Sequence, residues 1–249
     1  MTKKVVAING SPRNRRTLAL IKQISAILST NDIEVKIINL RDYDLMDCTG
    51  CETCIRKTSV CWQKDGTKDL LEEISAADGL ILASPVYVMN VSGKLKTLID
   101  KTAWWIHRPQ LAGKPALVVS TTAGSGLKDV HKYLDTVAIQ WGMQPVGRIG
   151  RKVSDNRPVA MHELKSLIWH LNHPKSKFNP SLKQMVNFQV QKVLALKILN
   201  EDLVFWKERG WDKAIYYYPA RIGLVKQFIS RLFFEVLNWR INPGSEKIA

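Results

Sequence analysis

No apolar run in this 249-residue chain reaches the ~18 residues that a membrane-spanning helix requires. Residues 222–241 come nearest, but Lys226, Arg231 and Glu235 interrupt them. A secretory leader is missing too. Met1-Thr2-Lys3-Lys4 leads straight into Val5–Gly10, too short for an apolar leader core and without a small-residue cleavage site, so a cytoplasmic protein without a transmembrane segment is expected. Cysteine is absent outside residues 48–61, where all 4 are found. That clustering excludes a disulfide framework, which scatters its cysteines to close long loops. Neither G-x-G-x-x-G nor G-x-x-x-x-G-K-[ST] occurs, which argues against a dinucleotide pyrophosphate or a P-loop nucleotide. No internal repeat or low-complexity tract is visible.

Acidic residues are scarce, 22 against 37 Lys and Arg, leaving a formal charge of +15. Such a balance suits phosphate ligands, acidic proteins, nucleic acid or an anionic membrane surface, and by itself selects none of them. An apolar fraction of 45% builds a packed core and excludes intrinsic disorder. The length allows one large domain, or a domain with a substantial extension.

The first 150 residues alternate between short apolar runs and helical patterns. Strand candidates are 4–9, 34–39, 79–83, 115–120 and 145–149, nearly uniformly apolar and rich in Val and Ile, as strands buried on both faces are. Between them Leu20, Ile21, Ile24, Ile27 and Leu28 recur at helical spacing, as do Leu70, Leu71 and Ile74, then Leu95, Leu98, Ile99 and Thr102 over a helix at 94–105, then Val130, Leu134, Val137 and Ala138. Five strands alternating with four helices predict an α/β fold, a doubly wound five-stranded parallel sheet. After a loop-like stretch near 151–160 only helical patterns follow, at 161–171, 181–199, 202–209 and 222–240. The 181–199 helix is expected to complete the cover of the sheet, giving a domain at 1–199 and a C-terminal helical extension at 200–249. Ligands of such sheets bind beyond the carboxyl ends of the strands, which directs attention to the loops there.

The first strand ends in Gly10-Ser11-Pro12-Arg13-Asn14-Arg15-Arg16-Thr17, and a helix follows. A helix N-terminus presents unpaired N–H groups and positive dipole. Ser11, Asn14 and Thr17 add short polar side chains and the arginines add fixed charge, a combination suited to a phosphate monoester. The bland alternative is a helix cap at Asn14 or Thr17 with solvated arginines. After strand three comes Ser84-Pro85-Val86-Tyr87-Val88-Met89-Asn90, where proline stiffens the turn and Tyr87 and Met89 suit a flat conjugated ring. After strand four, Thr121-Thr122-Ala123-Gly124-Ser125-Gly126 lets backbone N–H groups approach a ligand edge closely. The alternative for both is two ordinary turns with Tyr87 packed as core.

These segments resemble the flavodoxin-like NADPH-dependent FMN reductases, whose first loop reads G-S-P-R and whose third carries S-P-V-Y followed by Ser-Gly. The resemblance covers residues 1–150. It implies that Ser11, Arg13, Arg16 and Thr17 hold the phosphate of FMN, that Pro85, Val86, Tyr87, Val88, Met89 and Asn90 flank the isoalloxazine, and that Thr121, Thr122, Ala123 and Gly124 meet its rim. Many members have Gly and Asn where this chain has Arg15 and Arg16. The resemblance further implies a nicotinamide or another donor that reduces the flavin, and no acid or base side chain, because hydride transfer is the cofactor's chemistry.

The cysteines read Cys48-x2-Cys51-x2-Cys54-x6-Cys61. Four-cysteine zinc sites usually come as two separated pairs, whereas successive two-residue gaps wrap one cubane, as in ferredoxin runs. Empty thiols and a zinc ion stand beside a [4Fe-4S] cluster as readings of this loop. The spacing resembles the iron–sulfur flavoprotein branch of the same group, which carries a [4Fe-4S] cluster beside FMN. That branch implies electron transfer between cluster and flavin, with NAD(P)H or a ferredoxin-like donor, a small-molecule or protein acceptor, and a homodimer or homotetramer. Two rivals are a cluster-free NAD(P)H-dependent quinone or flavin reductase and a basic nucleic-acid-binding module. The latter needs aromatics and basics clustered on one face, and here arginines gather beside a phosphate loop, so no nucleic-acid partner is expected. His107, His131, His162, His170 and His173 share no metal-like spacing; Trp104-Trp105 and Tyr216-Tyr217-Tyr218 read as core or interface aromatics. The amphipathic last helix reads as docking on the body or across a dimer, with membrane-surface binding the alternative.

Overall fold

Apolar alternation with period 2 sends successive side chains of one strand to opposite faces, and the computed structural model, which describes residues 2–241, is built on that rule. The last eight residues of the expected extension lie outside it. In β1 (Lys3–Asn9), Val6 and Ile8 enter one apolar layer while Val5 and Ala7 enter the other. β2 (Ile33–Asn39) and β3 (Gly79–Pro85) pair with it, β4 (Pro115–Thr122) pairs with β3 and β5 (Gln144–Lys152) with β4, all in parallel, in the order β2-β1-β3-β4-β5. This is the flavodoxin-like strand order, with its switch point between β1 and β3.

Helix α1 (Arg16–Ser29) covers one face. The other face is covered by α2 (Thr67–Ala76), α3 (Gly93–Lys101), the short α4 (Ala103–His107) and α5 (Leu127–Gln140). The single helix expected at 94–105 is therefore two. At the break, Thr102 Oγ1 donates to Ile99 O (2.6 Å) and accepts from Trp141 Nε1 (2.9 Å), a side-chain bond that competes with helix continuation. Cover beside α1 is completed by α6 (Met161–Asn172), whose Leu164, Leu167 and Leu171 join the α1 layer. The 181–199 pattern does not close the sheet. It forms α7 (Leu182–Lys197), which packs with α8 (Asn200–Glu208) and the Trp211–Tyr218 segment around a third apolar cluster and lies against α9 (Leu224–Arg240). That cluster holds Met185, Phe188, Trp206, Trp211, Tyr216 and Tyr217 and spans the 199/200 boundary. Among the described residues no helix is long and apolar enough to cross a membrane.

Trp105 is fully buried and edge-on to Trp141, centroids 5.2 Å apart, so the Trp104-Trp105 pair supplies core. His131 is also structural: its Nε2 lies 2.7 Å from Ser120 Oγ, and burial lowers its pKa below the usual histidine value.

Candidate functional site

Beyond the carboxyl ends of the strands the loops after β1, β3 and β4 enclose a cavity of about 360 Å³. Its floor is locked from below. Asn9 donates to Asn39 (2.9 Å) and accepts from the Ser11 N–H (3.1 Å), while Gly10 N–H bonds Ala83 O (2.8 Å). A Cβ at Gly10 would stand 2.9 Å from Leu95 Cβ and 3.1 Å from Ala83 O, so only glycine lets the loop pass this close to α3. Thr17 and Thr121 share a buried hydroxyl bond of 2.7 Å that joins the first loop to β4.

The N-cap of α1 falls on Arg15 and receives no side-chain cap, and the first turn carries no acidic residue. Neither Asn14 nor Thr17 caps the helix, while Arg13, Arg15 and Arg16 are exposed to solvent. Orphan N–H groups remain at the positive end of a 14-residue helix. Arg13, Arg15 and Arg16 line the same cavity, and among the described residues none of them is ion-paired. Uncapped donors plus three uncompensated guanidiniums fit a phosphate ester.

Tyr87 and Asn90 exchange both backbone bonds (2.8 and 2.9 Å), leaving Val88 and Met89 as a two-residue turn at φ +46° and +63°. Asn-Gly is the favoured pair there; a β-branched residue at positive φ is strained by about 1–3 kcal/mol. Val88 is 97% exposed, so no packing compensates. Val88→Asn/Met89→Gly is expected to raise unfolding stability by about 1–2 kcal/mol. Urea denaturation checks it, and an unchanged midpoint removes the strain.

A second cavity, about 200 Å³, is lined by Cys48, Cys51, Cys54 and Cys61 together, all four as free thiols. Cys54 opens a π-helical turn, Cys54–Thr58, that ends at Ser59 in the left-handed region. The Trp62 indole N–H donates to Cys51 Sγ at 3.1 Å. Bonds from the Thr53 hydroxyl and N–H, aided by Thr49 and Trp62, bring the Cys51 thiol down to about 7, while burial and then the other three sulfurs push Cys54 up. Among the described residues no three His, Cys, Asp or Glu side chains converge tightly enough for one metal ion. Four thiols on one cavity supply the soft donor set that an iron–sulfur cluster would use.

Two buried charges anchor this loop. Lys101, 1% exposed at the end of α3, reaches Met46 O (2.9 Å), Gln63 Oε1 (2.5 Å) and Asp65 Oδ2 (2.6 Å), and so ties both ends of the loop together. Burial raises the Asp65 pKa, but the Lys101 ammonium, Thr67 and the Met46 N–H outweigh it and hold the group at about 2. From the other side, Arg108 donates to Ile55 O and Ser59 Oγ and lies 2.8 Å from Asp202 of α8, which is fully buried and also meets His107 (2.9 Å).

Of the residues expected at the flavin site, Ser11, Arg13, Arg16, Thr17, Pro85, Val86, Tyr87, Thr121, Thr122 and Ala123 line the first cavity. Asn14, Val88, Met89, Asn90 and Gly124 do not line it; Met89 Sδ instead accepts from Ser125 Oγ at 3.6 Å. Arg15, one of the arginines of the first loop, lines it as well, and so does Val153, which the sequence did not single out. Val153 follows β5, whose carboxyl end meets the same edge through the Val153 N–H to Thr122 O bond (2.8 Å).

Residues 3–154 match the family described as NADPH-dependent FMN reductase. An iron–sulfur flavoprotein of Archaeoglobus fulgidus is 32% identical over 222 residues, covering 84% of this chain and 99% of that one. An FMN-dependent NADPH-azoreductase of Staphylococcus aureus is 34% identical over 142 residues, 55% of this chain and 73% of its own. Among solved structures, an NADH:FMN oxidoreductase superposes with a TM-score of 0.51 at 25% identity, covering 69% of this chain and 88% of that one.

Proposed function

The chain belongs to the NADPH-dependent FMN reductase family, in its iron–sulfur flavoprotein branch, and is a flavin-dependent oxidoreductase; from that premise we propose that its Cys48–Cys61 loop holds a [4Fe-4S] cluster that exchanges electrons with FMN. The observation that carries this reading is the convergence of all four thiols on one cavity at the end of α3, the helix that follows the flavin loop. By rise per residue, α3 separates the two loops by only ~12 Å.

FMN would supply hydride acceptance and one-electron release, and the cluster a one-electron store. The chain's part is to hold and tune. Arg13, Arg16 and the α1 N–H groups grip the phosphate, with Thr17 beneath. Tyr87 supplies a plane for the ring, and the backbone of Thr122 and Ala123, which line the cavity, meets its polar rim, where its dipoles stabilise negative charge without any proton-transferring side chain. Cys48, Cys51, Cys54 and Cys61 would ligate the cluster. Arg56 is paired with Glu52 (2.6 Å) and neutralises that carboxylate at the cavity wall, and the Trp62 N–H on Cys51 favours the reduced, more negative state. NAD(P)H or a ferredoxin-like protein would donate electrons, and a small molecule or protein would accept them.

Purification without oxygen tests this. One FMN with four iron and four sulfide per chain is the expected content. Cys54→Ser should remove the iron and the broad absorbance near ~400 nm, leaving the flavin bands intact. Stoichiometric FMN without iron would instead favour a cluster-free NAD(P)H-dependent reductase, the reading to which the azoreductase relative points.

A further inference from the structure

At the amino ends of β1, β3 and β4, a strand's length (~20 Å) from the flavin cavity, lies a further cavity of about 290 Å³. Lys3, Lys114, Lys175, His170 and His173 line it, and Asp78 is the one carboxylate among its lining residues. Asp78 is already engaged: its Oδ2 accepts from the Lys4 N–H (2.8 Å) and its Oδ1 lies 3.6 Å from Lys3 Nζ. Lys114 and Lys175 are left with carbonyls. Lys114 Nζ donates to Ser75 O and Lys175 Nζ to Ala112 O (2.7 Å), and among the described residues neither forms an ion pair. Each ammonium has three hydrogens and spends one in this way.

Lys175 is set in place by its neighbours. Its stem runs over Gly113, where a Cβ would stand 2.7 Å from Lys175 Cδ on a backbone already at φ +76°, and its Nζ lies 5.7 Å from the centre of the Tyr218 ring. Burial and then the Lys175 ammonium lower the pKa of Lys114 against a smaller lift from Asp78, and burial lowers that of Lys175. Two like charges share one cavity with no carboxylate within ion-pair reach of either, a repulsion that a bound anion relieves. The imidazoles add a hydrogen-bond preference. Nδ1 of His170 donates to Ser166 O (2.7 Å) and Nδ1 of His173 to Trp169 O (2.8 Å), since a carbonyl oxygen only accepts. Nε2 of each neutral ring is therefore an acceptor, and burial favours that neutral form at His170.

We propose that this cavity binds a phosphate group, free or esterified to a small molecule, with Lys114 and Lys175 on its charged oxygens and an imidazole Nε2 accepting from its P–OH. Ammonium groups suit a tetrahedral oxyanion as point charges, where a planar carboxylate calls for the fork of arginine. At neutral pH a carboxylate also has no hydrogen to give Nε2, whereas a phosphate, with a second pKa near ~6, keeps one part of the time. Ala77, Pro115, Leu171 and Phe178 line the rest of the cavity and leave an apolar wall for the carbon portion of an ester.

Calorimetric titration of the full-length, FMN-loaded protein tests this, because the flavin cavity is then filled. Inorganic phosphate should bind once per chain. Lys114→Met/Lys175→Met should weaken it by about 10²-fold or more with flavin content unchanged, the loss of two charge-assisted contacts. Lys175→Met alone, at an exposed position where folding is not at stake, should cost about tenfold. Sulfate, of like shape but without a hydrogen at neutral pH, should bind about tenfold more weakly than phosphate. Phenyl phosphate binding more tightly than phosphate would make the occupant an ester, and the reverse order the free ion. No saturable heat with phosphate, an affinity unchanged in Lys175→Met, or sulfate bound as tightly as phosphate overturns the proposal. None of these outcomes depends on the cluster.

Discussion

Lys101→Met lowers the unfolding free energy by about 3–5 kcal/mol, the usual cost of stripping one partner from a buried ion pair. Methionine replaces the aliphatic stem but none of the three bonds to Met46 O, Gln63 and Asp65. It leaves the Asp65 carboxylate charged and out of reach of water. The loss is concentrated in residues 46–65, whose amides should exchange with deuterium first, while the sheet keeps its protection. Adding Asp65→Leu should recover only part of the stability, because it removes the stranded charge but strips the Met46 N–H (2.8 Å) and the Thr67 N–H (3.0 Å) of their acceptor. The same anchor is acid-sensitive in a defined direction. With Asp65 held at about 2, below the ordinary ~3.9, its contribution is complete above pH ~4 and disappears as pH falls toward 2. Loop protection and unfolding midpoint both unchanged in Lys101→Met would show that the ammonium anchors nothing.

The second large effect is on the flavin. Arg13→Ala/Arg16→Ala weakens FMN binding by about 10²–10⁴-fold, the loss of two charge-assisted contacts of ~1.5–3 kcal/mol each. Riboflavin gives the control. Lacking the phosphate, it should bind the wild-type chain far more weakly than FMN does, and the double variant should lose most of that preference, keeping what Arg15 and the α1 N–H groups supply. Fluorescence titration measures this. A variant whose preference for FMN is undiminished would move the phosphate elsewhere.

Much of this architecture is readable in the chain before folding. Uniform Val and Ile runs mark strands buried on both faces, and their alternation with helical stripes leaves little choice beyond a doubly wound sheet. The Ser11–Thr17 and Pro85–Tyr87 loops then fall on one edge because parallel strands all end there. What eluded the sequence is long-range. Leu95 and Leu98 show the buried stripe of α3, yet nothing local says that Lys101, one turn further along, enters the core to meet Asp65, 36 residues earlier. Arg108 and Asp202 are 94 positions apart and find each other only because α8 folds back onto α4. The stripe of 181–199 is as apolar as that of α6, so the pattern alone gives either helix the covering role. Only the packing shows that α7 faces α8 and α9 instead. Val88-Met89 reads as an ordinary hydrophobic dipeptide, and its left-handed backbone has no compositional trace.

The carboxylate of Asp202 makes the helical tail a buttress and not a passenger. Trimming the chain to its sheet-bearing portion would leave the Arg108 guanidinium without a counter-ion, and that group steadies the turn opened by Cys54 through Ile55 and Ser59. A version cut back to the sheet would therefore keep the loops of the first cavity and loosen the turn that carries Cys54, the two cavities parting at a single aspartate.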